Sequence, residues 1–131
     1  MPLKSNVRPH EMTAIHISEL VKRELHSIVQ LELAALAHEL LTPPRLEHRS
    51  WDYGEKDERL PCWLVLEHQK SNTGIGYCAH GFGPRYPWGL LFLSGEHMSM
   101  GMDSAWFASL EEALRNCAAW SGPNPPDYEV E

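Results

Sequence analysis

Residues 62–80 read CWLVLEHQKSNTGIGYCAH, and this stretch decides the predicted fold. The apolar run from Cys62 to Leu66 is too short for a typical helix. Because Pro61 and the turn-forming residues KSNTG bound it, it predicts a central strand. Asn72 and Gly74 favour a tight reversal, after which GIGYCAH returns as the partner strand. We therefore predict a β-hairpin over residues 62–80.

The sequence before the hairpin has a helical period. From Ile15, apolar residues recur mostly at three- and four-residue steps with charged residues between them, which predicts a long amphipathic N-terminal helix, with one break allowed by the pattern. Thr13 or Ser18 is the expected cap. Residues 42–44, TPP, should end the helix, since proline lacks an amide hydrogen and restricts the residue before it. The apolar positions are Ile17, Leu20, Val21, Leu25, Ile28, Leu36 and Leu40.

The sequence after the hairpin predicts further strands and a second helix. WGLLFL, residues 88–93, is another apolar run, and MSMGMDSAWF, residues 98–107, is expected to add an edge strand. Ser109 followed three residues later by Glu112 fits a capping box, which predicts a short C-terminal helix that stops at Gly122.

Together these patterns predict an α+β fold, in which a long N-terminal helix and a C-terminal helix pack on an antiparallel β-sheet of about three to five strands. A length of 131 residues indicates one domain, which we expect over residues 13–122. Residues 1–12 are expected to form a flexible arm, and residues 123–131 an extended or disordered acidic tail. Residues 45–61 are predicted to be a loop with one short strand near Trp51.

The net charge of −7 is distributed unevenly along the chain. Residues 1–50 are balanced, whereas residues 51–131 hold five Lys and Arg against twelve Asp and Glu. An acidic surface repels phosphate, so direct nucleic acid binding is disfavoured and a basic partner is favoured.

The sequence also predicts a cytoplasmic location without a membrane anchor. No apolar run approaches the roughly 20 residues that a membrane span requires, and no export signal is visible. The three cysteines lie far apart in apolar surroundings, which is typical of free thiols in a reducing compartment.

The loop HGFGPRYPWG, residues 80–89, is the first candidate site. A phosphate-binding loop would lead into a helix N-terminus, whereas this one leads into prolines and a strand, so nucleotide binding is disfavoured. Tyr, Trp and Arg are enriched at binding hot spots, which predicts partner binding; the alternative is that the aromatic side chains pack back onto the sheet. The predicted contact residues in the loop are Phe82, Arg85, Tyr86 and Trp88.

Acidic residues supply the remaining predicted contacts. Asp52 and Glu55 belong to an acidic run that either faces a basic partner or is a solvated loop. Asp103 is either a turn residue or a contact. We assign no catalytic residue, metal or cofactor in this interpretation, and the oligomeric state stays open.

An alternative is a small metal- or thiol-dependent enzyme. Cys78 and His80 should point to one face of a strand, and His68 lies near them if the hairpin register permits. A catalytic cysteine needs a thiolate, which the apolar setting of Cys78 should disfavour.

Three segments resemble small bacterial immunity proteins of polymorphic or contact-dependent toxin systems. They are WDYG at 51–54, GFGPRYPWG at 81–89 and MGMDSAWFASLEEA at 100–113. The resemblance implies a cytosolic, non-enzymatic α+β protein that neutralises a cognate toxin by direct contact, and it supplies no contact residues. The acidic C-terminal portion favours a basic toxin, such as a nuclease domain.

Overall fold

The computed structural model of the chain describes residues 13–51, 53, 54, 58–95 and 98–124. Its helices are α1 (Ala14–His26), α2 (Leu31–Leu40) and α3 (Leu110–Arg115). Its strands are β1 (Leu41–Ser50), β2 (Arg59–His68), β3 (Thr73–Tyr77), β4 (Trp88–Phe92) and β5 (Trp106–Phe107). These strands form an antiparallel sheet in the order β1-β2-β3-β4-β5. The predicted α+β class and antiparallel sheet are therefore confirmed.

The predicted hairpin is formed by β2 and β3. A short 3-10 turn, Gln69–Ser71, and Asn72 in the left-handed conformation (φ 60°) reverse the chain, as asparagine does readily. The register contains a bulge, because Leu64 pairs with Gly76 whereas Leu66 pairs with Ile75. The bulge interrupts the alternation of faces, so Val65 and Leu66 both pack in the core under the helices while Leu64 packs on the opposite face.

The N-terminal helical pattern forms two helices rather than one long helix. Thr13 caps α1 by accepting a hydrogen bond from the His16 amide. The helix ends at His26, and the hydroxyl of the C-cap residue Ser27 donates to the Glu24 carbonyl. This side-chain bond and the β-branched pair that follows, Ile28 and Val29, disfavour continuation of the helix. The break redirects the chain so that α2 buries Leu33 and Ala37 against the sheet.

The strand β1 corrects the prediction for residues 41–61. The double proline was expected to lead into a loop with only a short strand near Trp51, but Leu41–Ser50 is a ten-residue strand. Pro43 and Pro44 lie where the register shifts, between the pairs Leu41 with Leu66 and Arg45 with Leu64. Because β1 is an edge strand that pairs with β2 only, the two amide hydrogens that the prolines lack remove few hydrogen bonds from the sheet.

Both faces of the sheet are covered. The three helices cover the first face, forming a core with β2, β3 and β4. Loops cover the second face, where a smaller core forms. The buried members of this second core are Cys62, Leu64, Cys78, Leu91, Met100 and Trp106.

Arg49 of β1 is buried beneath these loops and is 2% exposed. Its Nε and Nη2 donate to Glu47 Oε1 at 2.9 and 2.7 Å, and Nη2 also donates to the Phe92 carbonyl at 2.7 Å. Its Nη1 donates to the Met98 and Ser99 carbonyls at 3.2 and 3.4 Å. Since β2 and β3 separate β1 from Phe92 of β4, the contact shows that the sheet curls around its second face.

The C-terminal helix confirms the predicted N-cap at Ser109, but it ends at Arg115 and not at the predicted stop, Gly122. Ser109 accepts a hydrogen bond from the Glu112 amide at 3.1 Å, and the Glu112 carboxylate accepts one from the Ala108 amide. The Leu110 amide is satisfied by Glu24 of α1, which docks α3 on that helix.

The chain beyond α3 stays attached to the helices as far as Asn124. Asn124 accepts hydrogen bonds from Arg115 and Trp120, and the Pro123 carbonyl accepts one from Gln30. The first two residues of the predicted tail therefore pack on the domain. Residues 125–131 and the predicted arm, 1–12, lie outside the described residues.

Within the part of the chain that the structure describes, no helix has the length and apolar character that a membrane crossing requires.

The Arg49 network predicts a large stability difference between two arginines of one strand. Arg49→Met should lower the free energy of unfolding by about 3 kcal/mol, because it leaves buried carbonyl groups without a donor. Arg45→Met should lower it by less than about 1 kcal/mol, because the Arg45 side chain is 51% exposed and solvent screens its ion pairs with Glu47 and Glu67. Urea denaturation of both variants measures the difference, and equal losses would contradict a structural role for Arg49.

Candidate functional site

Two loops that are distant in sequence meet through three aromatic side chains. The Trp51 and Phe82 ring centroids lie 4.7 Å apart with an interplanar angle of 76°. Tyr53 lies 5.2 Å from Trp51 and 5.6 Å from Phe82. Edge-on packing of this kind is favourable for aromatic rings, so these residues hold the loop after β1 against the loop before β4.

Phe82 anchors this contact in the second core. Its ring lies 6.0 Å from that of the buried Trp106. Gly81 precedes it with φ 63°, and a Cβ there would lie 3.0 to 3.2 Å from Met100, Leu60 and Trp51, so glycine suits both the conformation and the space. The alternative predicted from sequence, that the loop aromatics pack onto the sheet, therefore describes Phe82.

The backbone of residues 78–87 is closed by its own hydrogen bonds. The Cys78 amide donates to the Pro87 carbonyl at 2.9 Å, the Gly83 amide to His80, and the Tyr86 amide to Phe82. The Gly83–Pro84 peptide bond is cis. The loop is thus an ordered extension of the β3–β4 connection.

Arg85 and Tyr86 form the exposed end of this loop. Tyr86 is 44% exposed, and the Arg85 guanidinium lies 5.7 Å from the centre of its ring, a cation–π contact. We use the term loop surface for the two loops' exposed and half-buried side chains: Trp51, Tyr53, Phe82, Arg85 and Tyr86.

Trp88, which the sequence placed among the contact residues, belongs to the core. It is 1% exposed, begins β4 and packs on Tyr77 with ring centroids 4.8 Å apart. Its neighbour Gly89 faces the Trp106 indole so closely that a Cβ there would lie 2.3 Å from the ring. Trp88 therefore offers no surface to a partner in this fold.

The predicted acidic contacts divide between described and undescribed parts of the chain. Asp52 and Glu55 lie outside the described residues, although their chain neighbours, Tyr53 and Gly54, are described. Asp103 is exposed on the 3-10 turn Asp103–Ala105, just before Trp106, which Phe82 contacts.

The residues of the enzyme alternative do not converge. His68 pairs with Thr73 at one end of the hairpin, and its Nδ1 lies 2.7 Å from the Ser71 hydroxyl. Cys78 follows Tyr77 at the other end, five residues beyond Thr73 and so roughly 17 Å away at the rise of a strand. Among the described residues, no group of three or more His, Cys, Asp or Glu side chains is arranged to hold a metal ion.

Cys78 has a partner that sequence reasoning missed, the Cys62 thiol. The pKa of Cys62 is raised because its thiol donates a hydrogen bond to Cys78, and burial adds to the effect. The pKa of Cys78 is lowered because it accepts that bond, which outweighs burial, and the His80 backbone also contributes. From the sequence, we expected the apolar surroundings to disfavour the Cys78 thiolate. The hydrogen bond from Cys62 has the opposite effect and could not be predicted from the sequence.

An apolar cleft of about 320 Å³ lies between α1 and the start of β1. Sequence reasoning did not anticipate it, because β1 was not predicted. Among the described residues, Lys22 is the one charged residue of its lining, which is otherwise formed by Ser18, Val21, Leu25, Leu41, Thr42, Pro43, Pro44 and Val65.

Comparison of the chain with protein-family models, with curated proteins and with solved structures gives no match. The candidate site is therefore defined by its own geometry.

The different environments of Phe82 and Tyr86 predict different effects of alanine substitution. Phe82→Ala should lower the free energy of unfolding by about 2 kcal/mol and change the fluorescence of Trp51 and Trp106, because it removes a half-buried ring that contacts both. Tyr86→Ala should change stability by less than about 0.5 kcal/mol. Urea titration followed by tryptophan emission measures both quantities; a larger loss for Tyr86→Ala would show that Tyr86 is the anchor.

Proposed function

We propose that this chain is a non-enzymatic binding protein and that the loop surface makes the contact. The observation that carries the proposal is the meeting of two loops as one ordered aromatic surface, in which Tyr53 is 57% and Tyr86 44% exposed. Aromatic and arginine side chains dominate binding hot spots because they bury much area with little loss of conformational entropy. Phe82 and Trp51 hold the surface in shape before a partner arrives, which reduces the ordering cost of binding.

The partner that fits this surface is a protein with a basic face. The chain carries a net charge of −7, with the excess after residue 50. Four acidic residues occur between positions 52 and 58, on either side of Tyr53 and Gly54 in the sequence. A basic partner would be attracted by this charge over a distance of about one Debye length, roughly 10 Å at moderate salt.

We further propose that this partner is a bacterial toxin, that the chain neutralises it, and that both meet in the cytoplasm. This step rests on the resemblance of residues 51–54, 81–89 and 100–113 to small immunity proteins. Two of those segments contain the five side chains of the loop surface, and the third contains Asp103 and Trp106. A nuclease domain has a basic cleft for its substrate, and an acidic inhibitor would fit such a cleft.

Binding should depend on Arg85 and not on a comparable arginine elsewhere. Immunity proteins are encoded beside the toxins that they neutralise, so the protein encoded in the adjacent reading frame is the partner to test. Arg85→Ala should weaken binding to it about 30-fold, equivalent to about 2 kcal/mol, because a hot-spot arginine carries much of the binding free energy. Arg23→Ala is the matched control, because Arg23 is exposed on α1. Titration calorimetry with the purified pair measures the change, and equal affinities for the two variants would remove the loop surface from the interface.

Association should depend on ionic strength. Between low and high salt, the association rate should fall on the order of tenfold while the dissociation rate changes less, because screening acts on the long-range encounter. Stopped-flow mixing of the same pair measures both rates. A salt-independent association rate would contradict the charge argument. The contact through the loop surface is tested separately, by the Arg85→Ala titration.

Neutralisation itself is tested by co-expression in a bacterial host. The adjacent protein alone should arrest growth, and this chain should restore it, whereas the Arg85→Ala variant should restore it less well than Arg23→Ala. Arrest that persists despite a measured tight complex would refute neutralisation while retaining binding.

A further inference from the structure

Cys62 and Cys78 face each other across the β2–β3 hairpin. Trp63 pairs with Tyr77, so the next residues outward along the two strands, Cys62 and Cys78, lie opposite each other. Both side chains are fully buried in the second core, and their thiols are hydrogen-bonded to each other. Two opposed thiols in contact have a chemistry that a single buried cysteine lacks.

The backbone around this pair suits a covalent link. The Cys78 amide donates to the Pro87 carbonyl at 2.9 Å, on the side away from β2. Cys62 and Cys78 therefore occupy a non-hydrogen-bonded site of the antiparallel pair, where opposed Cα atoms lie about 4.5 Å apart. Disulfides form between Cα atoms about 4.4 to 6.8 Å apart, so the strands already have a compatible separation.

We propose that Cys62 and Cys78 are a redox site that a peroxide converts into an intramolecular disulfide joining β2 to β3. Cys78 and Pro87 close the base of the 78–87 loop, so the link would fix the base of the loop that carries Arg85 and Tyr86. This inference rests on the hairpin register and is independent of the proposed function.

The oxidation takes place in two balanced steps. The Cys78 thiol first releases its proton, and the thiolate attacks one oxygen of hydrogen peroxide; an S–O bond forms, the O–O bond breaks, and the departing hydroxide takes up the released proton to give water. The Cys62 sulfur then attacks the Cys78 sulfenic acid; the S–S bond forms, the S–O bond breaks, and the hydroxide leaves as water with the Cys62 proton. Two thiols and one peroxide give one disulfide and two waters.

The third cysteine is placed apart from this reaction. Cys117 follows α3 and packs against the core under the helices, whereas Cys62 and Cys78 lie in the core on the other face of the sheet. Because the sheet lies between them, Cys117 has no route to either thiol in the folded protein.

The test is oxidation of the folded full chain with hydrogen peroxide, followed by removal of the peroxide and thiol titration in denaturant. The expected result is a fall from three thiols to one, with a mass decrease of about 2 Da that dithiothreitol reverses. Digestion without reductant should yield one linked pair of peptides, containing Cys62 and Cys78. Retention of all three thiols, or a mass increase from added oxygen without a linked pair, would overturn the proposal.

Two variants assign the reaction to this pair. Cys117→Ser should still lose both remaining thiols and form the same link, whereas Cys62→Ser with Cys117→Ser should form no link. A link in wild-type protein that includes Cys117 would also overturn the proposal. If Cys62→Ser does not fold, the linked peptides of the wild-type digest decide the question alone.

Discussion

Arg49 places a guanidinium in the interior of the second core and satisfies its donors with the Glu47 carboxylate and three backbone carbonyls. A buried charge without such partners would be strongly unfavourable. The network therefore holds Met98 and Ser99 where their carbonyls reach the guanidinium. It also keeps the sheet curled, because β1 and the end of β4 are held together across its face.

The candidate site depends on this arrangement through a short series of contacts. The segment held by Arg49 leads to Met100, whose amide bonds to the Ser50 carbonyl and whose carbonyl accepts from the Trp106 indole at 2.8 Å. Trp106 supports Phe82, and Phe82 holds Trp51 and Tyr53. The exposed surface is therefore built on the sheet through packed side chains, although its residues lie in loops.

Local patterns in the sequence were sufficient for the features that local interactions determine. The hairpin turn at Asn72 and the Ser109 cap depend on residues within a few positions of one another, and both were predicted. β1 was not predicted, because two consecutive prolines favour the end of a helix or strand when the sequence is considered alone. A strand can contain them here because it lies at the edge of the sheet, and that position is a property of the whole sheet. The pairing of Cys62 with Cys78 likewise depends on a register that a β-bulge shifts by one residue.

The candidate site could be predicted only in part, because its loop has a recognisable composition whereas the burial of each side chain depends on the whole fold. Phe82, Arg85 and Tyr86 lie in a loop whose composition identified it, but the sequence could not separate the anchor from the exposed pair. Tryptophan is a residue type that is common at binding surfaces, so the sequence placed Trp88 among the contacts. Trp88 is, however, the first residue of β4, and the alternation of side chains along that strand directs it to the core under the helices. Trp51 and Tyr53 were not among the predicted contact residues, and their place beside the loop follows from β1.

The proline pair in β1 has a consequence for encounters between copies of the chain. The exposed edge of a sheet normally offers amide hydrogens and carbonyl oxygens to any extended peptide that approaches it, which is how strands of separate molecules join. Over residues 43–44 this edge has no amide hydrogen to offer, and the charged side chains of Arg45 and Glu47 follow immediately. These two features disfavour the addition of a strand from another molecule at this part of the edge.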